Sequence, residues 1–455
     1  MSAFHVSLVS IKLYFMQPES LMMTAGYDKE WSQGAIKCPI FQTSTFVFNK
    51  AEEGKAFFEV AYGLREKDAA ENVGLIYSRL NNPNVEILED RLKIWDAAED
   101  CACFNSGMSA ISTVFFEFLK PGSLFVYSAP IYGGTHHFIQ HVLTAFGIEG
   151  IPFGPNDTKD DILQKINAHP LKDHIKMIYV ETPANPTNHL FSLRMCSEIA
   201  KGLSKDENKV LLVVDNTYMG PIWQHPLELG ADLVIYSATK YIAGHSDLIA
   251  GAVSGSKQLI QRVKVLRTFF GNLPSPNTGW LLMRSLETMK IRMEQQQANA
   301  KLIAQYLSTH PKVAKVYFLG LLEKGTSQWD IFNEQCKGEG AMLSFDIVGG
   351  EKEAFAFLNH LKLIQLAVSL GSTESLAEHP ATMTHIDIPE MEKKIMNITS
   401  SLVRLSVGVE HADDLIADIE STSCCTSCGS EEAWKSYCDL QSALALYSCT
   451  KYNQC

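Results

Sequence analysis

From about residue 85 to 260 the chain alternates short apolar runs with amphipathic stretches. The runs are LFVY at 124–127, IKMIYV at 175–180, VLLVV at 210–214 and LVIY at 233–236. Each is continuous and is followed by polar or Gly-rich residues. Strands buried on both faces read this way, so the pattern predicts an α/β fold, a mostly parallel sheet sandwiched by helices. In such sheets chemistry collects at the C-terminal ends of the strands. A further run, DCACFN at 100–105, precedes the helix-like MSAISTVFFEF. Residues 278–308 carry apolar positions at three- and four-residue spacing, which predicts one long helix or two joined ones. After them VAKVYFL, AMLSFDIV and VRLSVGV predict the strands of a smaller C-terminal α/β domain.

Length divides the 455 residues into about two to three domains at roughly 150 residues each. The formal net charge of −12 argues against a nucleic-acid partner or an anionic membrane surface, which favour a basic face. No stretch reaches the roughly 18 apolar residues of a membrane span. Residues 1–23 are apolar, but Lys12 interrupts them, and they lack both a basic start and a small-residue cleavage site. They read as a poorly packed N-terminal extension, or as residues upstream of a later start at Met22 or Met23. Five of the 11 cysteines are scattered and six crowd into 424–455. That usage fits a reducing cytoplasm better than a disulfide scaffold.

Asp215 directly follows the apolar run LLVV. A carboxylate at the end of a buried strand is costly unless a cation pairs with it. Alone, it reads equally as a helix cap. Lys240 follows another run and lies among Ser237, Ala238, Thr239 and Gly244. Alone, it reads equally as a surface lysine. Together they match what a pyridoxal enzyme needs: a lysine to form a Schiff base and an acid to keep the pyridine nitrogen protonated. Ser106-Gly107-Met108 lies where a strand meets a helix, and helix-start N–H groups bind anions such as phosphate. Ser237 and Thr239 add hydroxyls.

The chain resembles the Cys/Met-metabolism (trans-sulfuration) family of pyridoxal-phosphate enzymes. The resemblance rests on YSRLNNPN (77–84), NSGMSAI (105–111), IYGGTH (131–136), ETPANPT (181–187), VVDNTY (213–218), GADLVIYSATKYIAGHSD (230–247), AVSLGSTESLAEHPATMTH (367–385) and LVRLSVGVE (402–410). These run in family order over about residues 25–420. The resemblance implies a fold-type-I transferase with pyridoxal 5'-phosphate as cofactor. It implies Lys240 as the Schiff-base lysine and proton shuttle, Asp215 as partner of the pyridinium, and Asn185 as donor to the phenolic oxygen. Gly107 and Met108 become backbone donors to the phosphate, and Ser237 and Thr239 hydroxyl donors. Tyr132 becomes the ring that stacks on the cofactor and assists the leaving group. Arg404 becomes the clamp for the substrate α-carboxylate, with Ser369 beside it. Tyr77 and Arg79 become the pair that reaches a neighbouring subunit's phosphate. A homo-oligomer with shared active sites, a tetramer of such dimers, follows. The division expected is an arm at 24–85, a cofactor domain at 86–275, a C-terminal domain at 276–420 and a disordered Cys-rich tail at 421–455.

Three departures stand out. Residues 61–72 lengthen the segment before YSR, either as a loop near the substrate entrance or as a solvated insertion. Asn84 stands where relatives carry Thr, and its side chain is expected to cap a helix. The tail's Cys424, Cys425 and Cys428 include a C-x-x-C spacing, but no clean second pair follows, so no metal site is assigned. Val368 before Ser369 resembles methionine γ-lyases, while Gly134 replaces the cysteine typical of them. The expected reaction is γ-elimination from methionine, cystathionine or homocysteine to 2-oxobutyrate, ammonia and a thiol. The alternative is γ-replacement, as in a cystathionine γ-synthase or a homoserine-ester sulfhydrylase.

Overall fold

The computed structural model describes residues 16–61, 63–68, 74–205, 208–386 and 388–425. Seven strands form one sheet: β1 (Asp100–Phe104), β2 (Leu124–Ser128), β3 (Glu149–Phe153), β4 (Ile175–Glu181), β5 (Leu211–Asp215), β6 (Leu233–Tyr236) and β7 (Gly251–Gly255). Their order is β1-β7-β6-β5-β4-β2-β3, parallel except for β7, which runs antiparallel to both its neighbours. All four apolar runs are strands, and the sheet is mostly parallel as expected. The segment 251–255 (GAVSG), which carries no apolar run, is also a strand.

Alternation explains why, apart from Lys176 near the start of β4, these runs are apolar. Leu124, Val126, Ile178, Val180, Leu212 and Val214 face one apolar cluster, packed under the helices Lys159–Ala168 and Leu193–Leu203. Phe125, Tyr127, Met177, Tyr179, Leu211 and Val213 face the other, with Phe115 of the helix Gly107–Phe118. Both faces of the pleat are covered, so period-2 residues on either side must be apolar. Each such aliphatic side chain contributes about 1.5–3 kcal/mol of burial.

The 278–308 periodicity resolves into two helices, Pro276–Leu286 and Met289–Ser308. A second, five-stranded sheet follows: β8 (Val313–Tyr317), β9 (Met342–Ile347), β10 (Gln365–Leu366), β11 (Leu376–Glu378) and β12 (Leu402–Ser406), ordered β10-β11-β12-β9-β8.

Three local expectations change. Residues 18–22 are packed, not loose: Pro18–Leu21 is helical, and Met22 is fully buried with its Sδ 3.1 Å from the Trp95 indole nitrogen. Asn84 does not cap the helix Pro83–Trp95. Pro83 takes the first helical position, so Asn82 is the cap and its side chain accepts from Asn84 N. Asn84 instead ties down the segment before it, donating to Pro39 O at 2.8 Å and accepting from Phe41 N at 2.8 Å. The last described helix, Ala412–Cys425, runs through the compositional break at Ser421. The rest of the Cys-rich tail, with Cys428, and part of 61–72 lie outside the described residues. No described helix is long and apolar enough to cross a membrane. Among the described residues no group of three or more His, Cys, Asp and Glu side chains has metal-holding geometry.

Candidate active site

The C-terminal edge of the large sheet opens into a cavity of about 270 Å³. Strand ends and the turns after them supply its walls. Gly107, Met108, Tyr132, Glu181, Asn185, Asp215, Ser237, Thr239, Lys240 and Arg404 all line it.

At one end lies the helix Gly107–Phe118. Ser106 caps it, accepting from Ser109 N at 3.0 Å. The N–H groups of Gly107 and Met108 stand in the first turn, where no intrahelical acceptor exists. Gly107 has a steric role as well. A Cβ there would lie 2.9 Å from the Ser237 Cβ, so only glycine lets the helix start abut the Ser237 turn. Ser237 N is held in turn by Thr217 Oγ1 at 2.8 Å. Thr239 is engaged within the chain: its hydroxyl donates to Ala250 O at 3.2 Å and accepts from Ala250 N at 3.0 Å.

In the middle stand two buried carboxyls. Asp215 ends β5, accepting from Thr217 N at 3.0 Å and from the Tyr179 hydroxyl at 3.1 Å. Its cap-like contact and its place in the cavity coexist. Glu181 ends β4 and was not anticipated from the sequence. One carboxylate oxygen accepts from Tyr132 N at 2.7 Å, and the other from Asn185 N at 3.2 Å. Burial raises both carboxyls above the usual range, and for Glu181, with Asp215 adding to the effect, to about 8. A cation beside Asp215 reverses that cost. The Asn185 Oδ1 accepts from the Tyr218 hydroxyl and from Arg404 Nη1, both at 3.1 Å, which leaves the amide nitrogen to donate into the cavity.

At the far end, Lys240 Nζ donates to Ser369 Oγ at 3.1 Å. Burial, with a smaller push from Arg404, lowers the amine to about 8. Arg404 donates through Nη2 to Ser369 O at 3.0 Å and forms a buried ion pair with Glu378 at 2.7 Å. Tyr132 is 44% exposed, so its ring is available to a flat ligand. Tyr77 and Arg79 are not brought to this cavity. Arg79 lies 5.4 Å over the Tyr77 ring and donates to Thr268 O at 3.2 Å. Tyr77 lines a separate groove of about 760 Å³ with Trp31, Phe41 and Phe57.

The donor set fits a pyridoxal phosphate. A helix start and the Ser237 hydroxyl would hold the phosphate, the Asn185 amide would donate to the phenolic oxygen, and Asp215 would pair with the ring nitrogen. Lys240 supplies an amine that burial keeps partly neutral, which is what attack on an aldehyde needs. Glu181, Tyr218, Thr217 and Glu378 are the site residues that sequence reasoning missed. For Glu181 a signal existed, because it closes the apolar run IKMIYV as Asp215 closes LLVV.

Comparison with known proteins agrees with this geometry. Residues 19–423 match the sequence profile of the "Cys/Met metabolism PLP-dependent enzyme" family. The L-methionine gamma-lyase of Fusobacterium nucleatum subsp. nucleatum is 39% identical over 389 residues, 85% of this chain and 93% of the relative. The cystathionine gamma-lyase of Bacillus subtilis is 36% identical over 405 residues, 89% and 98%. Among solved structures, metB from Corynebacterium glutamicum superposes with a TM-score of 0.77 at 34% identity, covering 90% of this chain and 98% of that one. The cystathionine gamma-lyase from Lactobacillus plantarum, complexed with L-serine, gives 0.76 at 33% identity, covering 89% and 98%. The chain therefore belongs to the Cys/Met metabolism family of pyridoxal-phosphate-dependent enzymes, with a fold-type-I α/β architecture.

Proposed function

We propose that this enzyme is a carbon–sulfur lyase that performs γ-elimination on a sulfur amino acid, methionine foremost. One observation carries the choice of substrate. The charged side chains lining the cavity are Glu181, Asp215, Lys240 and Arg404. Each is committed to the cofactor, to the backbone or to the α-carboxylate. The remaining wall includes Met108, Ile111, Ile249, Val368 and Leu370, and Val368 is 59% exposed. Such a wall suits an uncharged thioether and, among the described lining residues, supplies no further charge to pair with a charged side-chain terminus. The names of the gamma-lyase relatives point the same way.

The net reaction is methionine plus water to 2-oxobutyrate, ammonia and methanethiol. When bound, the cofactor supplies an electron sink for the pair left at Cα. Arg404 and Ser369 orient the α-carboxylate, a geometry suited to a guanidinium fork. Lys240 takes the Cα proton and returns protons to the carbon chain. Tyr132 gives its phenolic proton to the departing sulfur. Asp215 would keep a proton on the ring nitrogen, and Asn185 would hold the phenolic oxygen.

The alternative is γ-replacement, in which a thiol attacks where the γ-substituent left. Gly134 is the feature in its favour, since methionine γ-lyases typically carry cysteine there. A Cβ at 134 would lie 2.5 Å from the Tyr132 ring, so glycine and the present ring position go together. We further read residues 24–85 as an arm that carries Tyr77 and Arg79 to a neighbouring subunit of a homotetramer. The groove around Tyr77, with exposed Val47 and Trp31 near it, supports that reading.

A product assay tests the reaction. Methionine, cystathionine, and O-succinylhomoserine with cysteine are each incubated with the holoenzyme. The reading expects 2-oxobutyrate and methanethiol from methionine. Formation of cystathionine with no breakdown of methionine overturns it.

A further inference from the structure

Glu378 and Arg404 are cross-strand partners, Glu378 closing β11 opposite Arg404 in β12. Both side chains therefore stand on one face of the sheet, and they meet at 2.7 Å with side-chain exposures of 0% and 3%. The same Glu378 oxygen accepts from Thr384 Oγ1 at 3.0 Å. Glu378 Oε2 and Arg404 Nε are both buried and carry no hydrogen bond. The guanidinium that lines the cavity is thus matched by a fixed carboxylate before any ligand arrives. A carboxylate entering the cavity meets an ion pair of no net charge, not a free cation.

We propose that Glu378 sets how tightly this site holds carboxylates, damping the attraction of Arg404 so that amino-acid substrate and 2-oxo-acid product are bound weakly and released. This rests on the reading of Arg404 as the carboxylate clamp. The physical logic is that substrate, transition state and product all carry the same α-carboxylate. Tighter binding of it lowers KM without raising kcat, and it retards product release. Glu378 also offsets part of the push that Arg404 exerts on the Lys240 amine. Glu378 is therefore an affinity-determining residue that acts through Arg404 and need not touch substrate.

The test uses the holoenzyme and propionate, an unreactive carboxylate, with Kd from titration calorimetry. Glu378→Gln keeps an acceptor for Arg404 and Thr384 but removes the charge. The expected result is a Kd lower by on the order of tenfold, from the Coulomb energy of one charge at this range. The KM for methionine falls with it, and kcat does not rise. An unchanged or higher Kd overturns the proposal, because a residue that merely orients Arg404 would give that result. Glu378→Met, neutral and of similar volume, makes the same measurement if the Gln variant does not fold. Arg404→Leu separates the two claims. If propionate binding survives that change, the clamp reading fails and the proposal with it. If binding is lost there but Glu378→Gln has no effect, the proposal alone fails.

Discussion

Glu181 and Asp215 end adjacent parallel strands as register partners, so two buried carboxyls share one wall of the cavity. They do different work. Asp215 faces the cavity and accepts from Thr217 N and the Tyr179 hydroxyl, which leaves it placed to pair with the ring nitrogen of the proposed cofactor site. Glu181 spends both oxygens on backbone N–H groups, those of Tyr132 and Asn185, and so fixes these two residues relative to each other.

Glu181→Gln is expected to leave one of those N–H groups facing an amide NH2. Loss of the bond costs about 1–3 kcal/mol of stability, read as a lower urea midpoint. Misplacement of Tyr132 and Asn185 lowers kcat by about 10- to 100-fold while the visible absorption band of the lysine-bound cofactor persists. An unchanged kcat would show that the two groups are positioned without Glu181.

Lys240 gives a pH signature. Burial lowers its amine from the ordinary 10.5 to about 8. Only the neutral amine attacks an aldehyde. Cofactor uptake by the apoenzyme should therefore rise about tenfold per pH unit below 8 and level off above it. Stopped-flow absorbance measures this. A rise that continues to pH 10 would mean the amine is not held in a buried site. Lys240→Ala should abolish the visible band and lower turnover by about 10²–10⁴-fold or more.

Tyr77 and Arg79 lie outside the cavity of their own chain, which gives the shared-site reading a direct test. Arg79→Ala and Lys240→Ala homomers should each be nearly inactive. Co-refolded, they should regain about a quarter of wild-type activity if sites draw on two chains, since one site in four then holds both native residues. Additive, unrestored activity in the mixture would sink the shared site.

Glu89 and Arg267 form a buried pair at 2.6 Å away from the cavity, between the helix Pro83–Trp95 and the helix Lys257–Phe270. Burial alone would raise the Glu89 carboxyl, but Arg267 and Lys264 overcome it and hold the group below its usual range. The pair's stabilisation is therefore full above the ordinary carboxylate pKa and is lost as pH falls through the depressed one. Glu89→Ala should cost about 3–5 kcal/mol at neutral pH, by urea unfolding, because Arg267 is left buried and unpaired. The deficit should shrink in acid. A deficit that is independent of pH would show that lost packing, not charge, dominates.

The parallel sheet was legible in the sequence because its strands are covered on both faces, which forces continuous apolar runs. Lys240, Asp215 and the Gly107 turn were legible because they follow such runs directly, where strand ends meet solvent and ligand. Strand β7 was not, because Gly251 and Gly255 hold its ends and leave no apolar run. Asn84 was misread as a cap because the position of Pro83 shifts capping by two residues. What only the tertiary structure decided is the pairing of distant groups. Glu378 was one residue in a recognised motif until antiparallel register set it opposite Arg404. Glu181 was a strand end until chain folding brought Tyr132 N and Asn185 N to its two oxygens. Periodicity reports which face a residue takes within its own element. Which charge stands across from it depends on register between elements, and that is settled only when the sheets assemble.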